Sequence, residues 1–577
     1  MNIFSSFKEI GKLYVSGEID KVTELIKQYL ILYPEDKETI TLLGVINFDA
    51  KNYNVAYELF LQAVSLDDKN ALYWNNLGAV LREQRKPKEA ILCFEKAIKF
   101  NEHYSEAAYN IGSSYQLLGE LSLAEQWYDY AIVKNPKSHL SYNNLGNVYK
   151  NQGRIEEALC AFSKAIHYGT DPIYNSNYLF CLNYLEKSSR KSVFDKHVKL
   201  VKRGSTPLYS MNNIDYKSKH RLRVGYVSAD FRTHSVAFFL YPIFRKRNVE
   251  TFCYYNHPKS DKVTTLLRDN SDHWRDIYSL SDYKVFQMIK DDNIDILVDL
   301  SGHSGGNRLN LFSMKPASIQ VSYLGYPNTT GLKEMDYRIT DEFTDPTGIS
   351  DKFYTEKLVR MPTFLCYNPM VENLYNEEPP CLRKRYITFG CFNNRAKIND
   401  TTIKIWSKLL LSIPYSKLIL KSSISFDKRV KEELIFLFMK NGVDASRIKI
   451  LPYLTLQEHI ESYSLIDISL DTFPYNGTTT TLESLYSGVP VISLMGDRHA
   501  SRVGASILSQ LGLENWIIPS KDKYIKISKN LTDVNNLIFL RKTLREKIKG
   551  SLLMNETVFV SRLEEEYNKM QTNLSRS

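Results

Sequence analysis

Four consecutive threonines, Thr478 to Thr481, sit in the stretch DISLDTFPYNGTTTTLESLYSGVPVISL, between an apolar run and a helix-like one. Branched side chains lose rotamer freedom inside a helix, yet a threonine hydroxyl caps a helix start well by accepting from an orphan backbone N–H. The run therefore reads either as a plain helix start or as a set of hydroxyls and amides awaiting an anion. Glu483 follows it, a carboxylate that can only accept hydrogen bonds when ionised. Other polar loops follow short apolar runs: Asp230–His234 (DFRTH), Ser301–Asn307 (SGHSGGN), Gly325–Gly331 (GYPNTTG) and Asn393–Lys397 (NNRAK). His234 and His303 stand on two of these loops, and a loop histidine can take a proton near neutral pH. Each of these residues could equally be an ordinary polar loop residue.

The elements that must position them alternate short apolar strands with amphipathic helices, the pattern of parallel sheets. LRVGYVSADF (222–231), ETFCYYN (250–256), IDILVDL (294–300) and SIQVSYLGY (318–326) form one strand series. YITFGCF (386–392), SKLILK (416–421), RIKILPY (447–453), DISLDTF (467–473), VPVISLM (489–495) and NWIIPS (515–520) form a second. Helices between them are clear, one with a Thr455/Glu458 capping box. The proline-containing stretch 366–385 reads as the hinge between two halves. In doubly wound sheets ligands bind beyond the carboxyl ends of the strands, so the polar loops of both halves are expected to converge.

The first 180 residues are a repeat. Gly44, Gly78, Gly112 and Gly146 recur every 34 residues, as do Ala56, Ala90, Ala124 and Ala158, and Ala63, Ala97, Ala131 and Ala165, with Phe60, Phe94, Tyr128 and Phe162 between them. Small residues at fixed spacing let paired helices approach closely, which is the tetratricopeptide pattern. Residues 3–36 read as a degenerate first copy. Such units stack into a superhelix with a concave groove. Asn76, Asn110 and Asn144 keep the same spacing, and a ladder of amides could hold the backbone of an extended peptide; alternatively each bonds only its neighbouring turn.

Composition sets limits. At 577 residues the chain needs several domains, and 43% hydrophobic with 24% charged residues is ordinary for globular protein. No apolar run approaches the ~18 residues of a membrane span, and the N-terminus has no signal-peptide core. Seven scattered cysteines without a C-x-x-C pair point to free thiols in a reducing compartment, hence the cytoplasm, and away from a zinc site. The net charge of +10 is not gathered into a nucleic-acid motif. Neither nucleic acid nor membrane is an expected partner.

Behind the repeats come GYVSADFRTHSV, DLSGHSGGNRL, GYPNTTG, MDYRITD, FGCFNNRAKI, DISLDTFPYNGTTTTLESLYSGVPV and ASRVGASIL. In this order they resemble the tetratricopeptide-containing protein O-glycosyltransferases, which include O-GlcNAc transferase and the plant Spindly O-fucosyltransferase. The resemblance implies a tetratricopeptide α-solenoid followed by a GT-B domain of two Rossmann-like halves. It implies inverting, metal-independent transfer from a nucleotide sugar to Ser or Thr of proteins held by the repeats. The expected boundaries are 1–182 for the repeats, 183–220 for capping helices and linker, 221–375 and 376–550 for the two halves, and 551–577 for a C-terminal helix and tail. Lys397 matches the family's phosphate-binding lysine, and Thr478, Thr479 and Thr480 its pyrophosphate loop. Glu483 matches an acidic residue holding ribose hydroxyls, His459 a histidine near the base, and Asn394 takes the place of a glutamine that assists the leaving group. His234 matches a histidine proposed as catalytic base. His303, Tyr326 and Pro327, on strand-end loops, are candidates for contact with sugar or acceptor. Without a metal, a diphosphate leaving group must be neutralised by lysine, hydroxyls and helix N-terminal amides. No cofactor is expected beyond the nucleotide sugar as co-substrate, UDP-GlcNAc first. Thr478, Leu456 and Ser462 depart from O-GlcNAc transferase, which carries histidine, lysine and arginine there. The F-P-Y-x-G-T-T-T-T run reads closer to Spindly, making GDP-fucose the rival donor. A non-protein acceptor, or a scaffold with a degenerate catalytic half, are the remaining alternatives.

Overall fold

The computed structural model describes residues 19–204, 221–370, 378–422 and 427–576. The chain forms two compact units: a repeat unit reaching to Tyr149 together with Lys164–Gly169, and an α/β unit of Lys150–Ser163 with everything from Thr170 onward.

Helix α1 (Ile19–Leu32) represents the degenerate first copy; the start of that copy lies outside the described residues. Four helix pairs follow: α2 (Lys37–Asp49) with α3 (Tyr53–Leu66), and α4 (Ala71–Glu83) with α5 (Pro87–Phe100). Then come α6 (Ser105–Leu118) with α7 (Leu121–Lys134), and α8 (His139–Gln152) with α9 (Ile155–Tyr168). Asp36 and Asn70 cap their helices by accepting from Thr39 N and Leu72 N, both at 3.0 Å. The repeating glycines are steric requirements. A Cβ on Gly44 would lie 2.5 Å from the Phe60 ring, on Gly78 2.6 Å from Phe94, and on Gly112 2.8 Å from Tyr128. Aromatic residues at that spacing therefore fill the room that the missing Cβ leaves.

Residues 150–163, inside the last repeat, already belong with the α/β unit. The cause is local packing. Gly153 turns at φ +84°, and a Cβ there would sit 2.1 Å from Nη1 of Arg395, on the loop that carries Lys397. Two more helices continue this unit, α10 (Pro172–Leu182) and α11 (Arg190–Gly204), the first capped by Asp171 with Pro172 at its opening position.

The first α/β half is a seven-stranded parallel sheet of β1 (Arg223–Ser228), β2 (Glu250–Tyr255), β3 (His273–Asp276), β4 (Ile296–Asp299), β5 (Ile319–Ser322), β6 (Tyr337–Asp341) and β7 (Lys357–Met361). Its spatial order is β3-β2-β1-β4-β5-β6-β7. The second half holds β8 (Thr388–Cys391), β9 (Lys417–Leu420), β10 (Ile448–Ile450), β11 (Ile468–Leu470), β12 (Val491–Leu494) and β13 (Ile517–Ile518), in the order β10-β9-β8-β11-β12-β13. All ten expected strands are present. Three more, β3, β6 and β7, escaped the sequence reading because each carries charged residues: HWRD, YRITD and KLVRM. In β6 the charge is structural, since buried Arg338 donates to Tyr326 O at 2.6 Å.

Of the helices packed on these sheets, four bear on the site and its frame: α12 (Ala237–Lys246), α13 (Leu456–Glu461), α14 (Thr479–Tyr486) and the C-terminal α15 (Glu556–Arg576). The last does not end the second half as a separate tail. It returns to the first half, where Glu556 pairs with Arg245 on α12, Glu564 accepts from Asn248 N at 2.6 Å, and the Tyr567 and Tyr226 hydroxyls meet at 3.4 Å. Of the expected hinge, residues 371–377 lie outside the described residues, as does the linker 205–220.

Candidate active site

Both sheets reverse strand order between their first and fourth strands, and such a switch point opens a crevice at the carboxyl ends. In the second half the two flanking strands are β8 and β11. β8 leads into Asn393–Lys397 and β11 into the loop 471–477 and the threonines, so two segments 74 or more residues apart in sequence meet at one crevice.

Lys397 closes a single 3-10 turn, Arg395–Lys397, capped by Asn394 Oδ1, which accepts from Ala396 N at 3.0 Å. Its ammonium donates to Asn476 O at 2.8 Å and lies 4.0 Å from the centroid of the Tyr475 ring. Tyr475 is backed by Tyr184 at 5.2 Å and by Phe180 of α10 at 6.4 Å, and Phe180 stands 6.0 Å from Tyr326 at the end of the β5 loop. Burial pushes the lysine down to about 8, with the Asp471 carboxylate opposing. The ammonium thus predominates at neutral pH, in surroundings where its charge is weakly screened.

Asp471 shapes the opposite wall. Its Oδ1 accepts from Thr472 N at 2.8 Å and Gly477 N at 2.6 Å, and its Oδ2 from Ser493 Oγ at 2.6 Å. Burial raises this carboxyl to about 6, against the pull of those bonds. The loop 472–477, with a cis Phe473–Pro474 bond, is thereby pinned at both ends. The threonine run is a helix start, but not through a cap: Thr478, in the N-cap position, makes no side-chain cap bond. Thr480 Oγ1 donates to Asn393 Oδ1 at 3.0 Å and Thr481 Oγ1 to Gly477 O at 3.0 Å. The first backbone bond of the helix is Leu482 N to Thr478 O at 3.1 Å, which leaves the preceding amides as orphan donors. Gly477 must be glycine, because a Cβ there would fall 2.3 Å from Thr480 Oγ1.

Glu483 is buried one turn into α14. Its Oε2 accepts from His459 Nε2 at 3.0 Å and Tyr463 OH at 3.1 Å. Burial pushes the carboxyl up, yet His459, Tyr463 and Lys421 together hold it below its ordinary value. His459 comes from α13, whose start is locked by the expected box: Glu458 Oε2 accepts from Thr455 N at 2.8 Å, and Thr455 Oγ1 accepts from Glu458 N. The histidine packs edge-on to Phe392 at 5.8 Å, and its Nδ1 is buried without a hydrogen-bond partner.

The first half corrects several expectations. His234 is on the loop after β1, with 39% of its side chain exposed and Nδ1 3.5 Å from Asp230 Oδ2. Crowding by the loop lowers its basicity while Asp230 raises it, so the imidazole is neutral at neutral pH. His303, a candidate for contact with sugar or acceptor, is 2% exposed. Its Nε2 donates to Thr330 O at 2.8 Å and its Nδ1 accepts from Ser176 Oγ at 3.0 Å, and burial pushes its pKa down to about 3. Tyr326 is equally spent, donating to His197 Nε2 at 2.6 Å and accepting from Asn183 Nδ2 at 3.3 Å, and Pro327 is buried beside it. These residues seat α10 and α11 on the first half. The asparagine ladder is corrected too. Buried Asn110 accepts from Arg82 Nη1 at 2.8 Å and donates to Asn75 at 2.9 Å, while Asn144 donates to the Tyr109 and Tyr128 hydroxyls at 3.2 and 3.3 Å. Only Asn76 remains half-exposed without a hydrogen bond among the described residues.

Sequence reasoning missed Tyr475, and it missed the buried seam that joins the halves. There His499 Nδ1 meets Asp345 Oδ2 at 2.7 Å and Ser506 Oγ donates to Asp341 at 2.5 Å. The MDYRITD and ASRVGASIL motifs contain or border those partners, which was the available signal. Among the described residues, no group of three or more His, Cys, Asp or Glu side chains is placed to hold a metal ion, and no helix is long and apolar enough to cross a membrane.

A repeat array joined to two Rossmann-like halves, with a lysine and a helix start facing one crevice, defines a repeat-bearing glycosyltransferase of the GT-B type. The chain belongs to glycosyl transferase family 41, whose model matches residues 178–376 and 379–563; tetratricopeptide models match 71–104 and 127–159. It is similar to the probable UDP-N-acetylglucosamine–peptide N-acetylglucosaminyltransferase SPINDLY of Solanum lycopersicum, at 38% identity over 406 residues covering 68% of this chain and 44% of that protein. The correspondingly named SEC protein of Arabidopsis thaliana is 31% identical over 366 residues, covering 61% of this chain and 37% of its own. The chain thus spans less than half the length of these relatives. Among solved structures, a lysine-to-methionine variant of Thermobaculum terrenum O-GlcNAc transferase superposes with a TM-score of 0.79 at 30% identity, covering 88% of this chain and 98% of that one.

Proposed function

We propose that this protein transfers a single sugar from a nucleotide sugar to Ser or Thr of protein substrates recruited by the repeats. The observation that carries the reading is the meeting of Lys397 and the start of α14: Lys397 Nζ bonds Asn476 O, two residues before Thr478. A diphosphate seated there meets the ammonium, the orphan amides and the Thr478 and Thr479 hydroxyls, which together stabilise the charge that develops as the sugar–phosphate bond breaks. That neutralisation needs no metal. Glu483 and His459 take the nucleoside, and Asn394 supports the leaving group from the rim. In this reading His234, partly exposed, takes the acceptor hydroxyl's proton as its oxygen attacks the anomeric carbon from the face opposite the departing diphosphate, which inverts that centre. The repeats offer the protein-binding surface, with Asn76 the remaining groove amide, and a cytoplasmic setting suits the free cysteines.

UDP-N-acetylglucosamine is the first donor, in keeping with the names of the plant relatives and the Thermobaculum structure. GDP-fucose is the second, favoured by threonine rather than histidine at 478. Incubation of the purified chain with labelled UDP-GlcNAc, UDP-glucose and GDP-fucose, each with a panel of candidate proteins, tests both. Label on a Ser or Thr hydroxyl is the expected result and identifies the donor. Transfer to no protein from any donor overturns the reading.

A further inference from the structure

Lys421 has so far entered only through its attraction for the Glu483 carboxylate. It follows β9 directly, its backbone N donating to Cys391 O at 3.0 Å, so it sits level with the end of β8. Side chains alternate along a strand, which puts Lys421 on the same face as Ile419. Ile419 packs in one cluster with Phe392 and Tyr463. Those two rings in turn touch the buried pair: Phe392 stands 5.8 Å from His459, and Tyr463 bonds Glu483. Lys421 therefore shares a pocket wall with His459 and Glu483. Its side chain is 6% exposed, and its ammonium has no hydrogen bond or ion pair among the described residues.

A buried ammonium that has a carboxylate nearby but no hydrogen bond still carries a desolvation cost, and a bound ligand can supply the missing acceptor. Two further groups nearby are unspent. His459 Nδ1 is buried and unpartnered, and Glu483 accepts both of its bonds on Oε2, leaving Oε1 open. His459 Nε2 donates to the carboxylate, so Nδ1 is an acceptor in the neutral ring. One donor and two acceptors thus lie around the same packed rings, Phe392 and Tyr463.

We infer that Lys421 is a further donor-binding residue, whose ammonium grips an oxygen of the nucleotide's nucleoside part while Glu483 and His459 accept from its hydroxyl or N–H groups. The inference rests on the transferase reading above. It separates two jobs within one site: Lys397 holds the diphosphate and Lys421 the nucleoside.

Calorimetric titration of the full chain with UDP, GDP and inorganic pyrophosphate tests it, using wild type, Lys421→Met and Lys421→Arg. A charge-assisted bond of this kind carries roughly tenfold to a hundredfold in affinity. The methionine variant is expected to lose ~10-fold or more for the nucleoside diphosphate that wild type binds, with pyrophosphate unchanged and arginine restoring most of the loss. Equal losses for UDP and GDP place the contact on the ribose; a loss confined to one places it on the base. The melting temperature of ligand-free Lys421→Met should stay close to wild type, because the ammonium makes no hydrogen bond among the described residues. If the methionine variant does not fold, Lys421→Gln is read in the same way. Unchanged nucleotide affinity, or an equal loss for pyrophosphate, overturns the inference alone. Wild type that binds no nucleoside diphosphate overturns the transferase reading with it.

Discussion

The two Rossmann-like halves share a strand order, yet their strand-end loops serve opposite ends. In the second half the loops after β8 and β11 spend their bonds on shaping one another and leave donors free at the crevice: Asp471 pins 472–477, Asn393 holds Thr480, and Lys397 and the α14 amides face outward. In the first half the loops after β4 and β5 spend their reactive-looking groups inward. His303 and Tyr326 are saturated by Thr330, Ser176, His197 and Asn183, and only His234 stays accessible. A histidine on a strand-end loop is thus no mark of catalysis by itself. What distinguishes the two is that both nitrogens of buried His303 are paired, whereas partly exposed His234 accepts from Val236 N on Nδ1 alone.

The comparison breaks first at Lys397. Lys397→Met should lower kcat/KM by about 1,000-fold, the usual loss for one preorganised electrostatic group. Its melting temperature should stay close to wild type, because the side chain makes a single hydrogen bond. Near-normal turnover would move the phosphate site elsewhere. His234→Ala comes next, with an expected fall of about 100-fold in kcat and little change in donor affinity, as for a lost general base. A change confined to the acceptor's KM would make it an orienting group instead.

His303→Ala sharpens the contrast from the other side. It leaves Thr330 O and Ser176 Oγ unpaired in the interior, at a cost of roughly 1–3 kcal/mol per buried group seen as a lowered denaturation midpoint, with kcat/KM within about threefold. A catalytic collapse without destabilisation would restore His303 to the active site. The smallest effect is a pH limb. With Lys397 near 8, the ammonium is present below that value and is lost as the pH rises through it, so kcat/KM of the free enzyme should decline above about pH 8. Lys397→Arg should be slower yet keep a flat alkaline side, because a guanidinium stays protonated there.

Much of this was legible in residues alone. The 34-residue spacing of Gly44, Gly78 and Gly112 against Phe60, Phe94 and Tyr128 encodes the helix pairs, since each missing Cβ leaves room for one ring. Apolar strand runs and the Thr455/Glu458 box located the elements of the second half to within three residues. Charged strands such as YRITD were not legible, because their polar groups are paired only across the sheet and the seam. Nor does anything in the local sequence say that Gly153 lies against Arg395.

The sequence by itself determined the repeat period, the two strand–helix series, and the residue types gathered at their loops, because periodicity and turn chemistry are local properties of the chain. Tertiary structure alone decided which of those groups stay unspent. Lys397 and Thr478 are 81 positions apart and His459 and Glu483 are 24 apart, yet each pair acts as one feature. The same packing that saturated His303 left the Lys421 ammonium without a hydrogen bond among the described residues. Whether a polar side chain is paired or waiting depends on neighbours that arrive from distant segments, and only the folded arrangement of β8, β9, β11 and α14 supplies them.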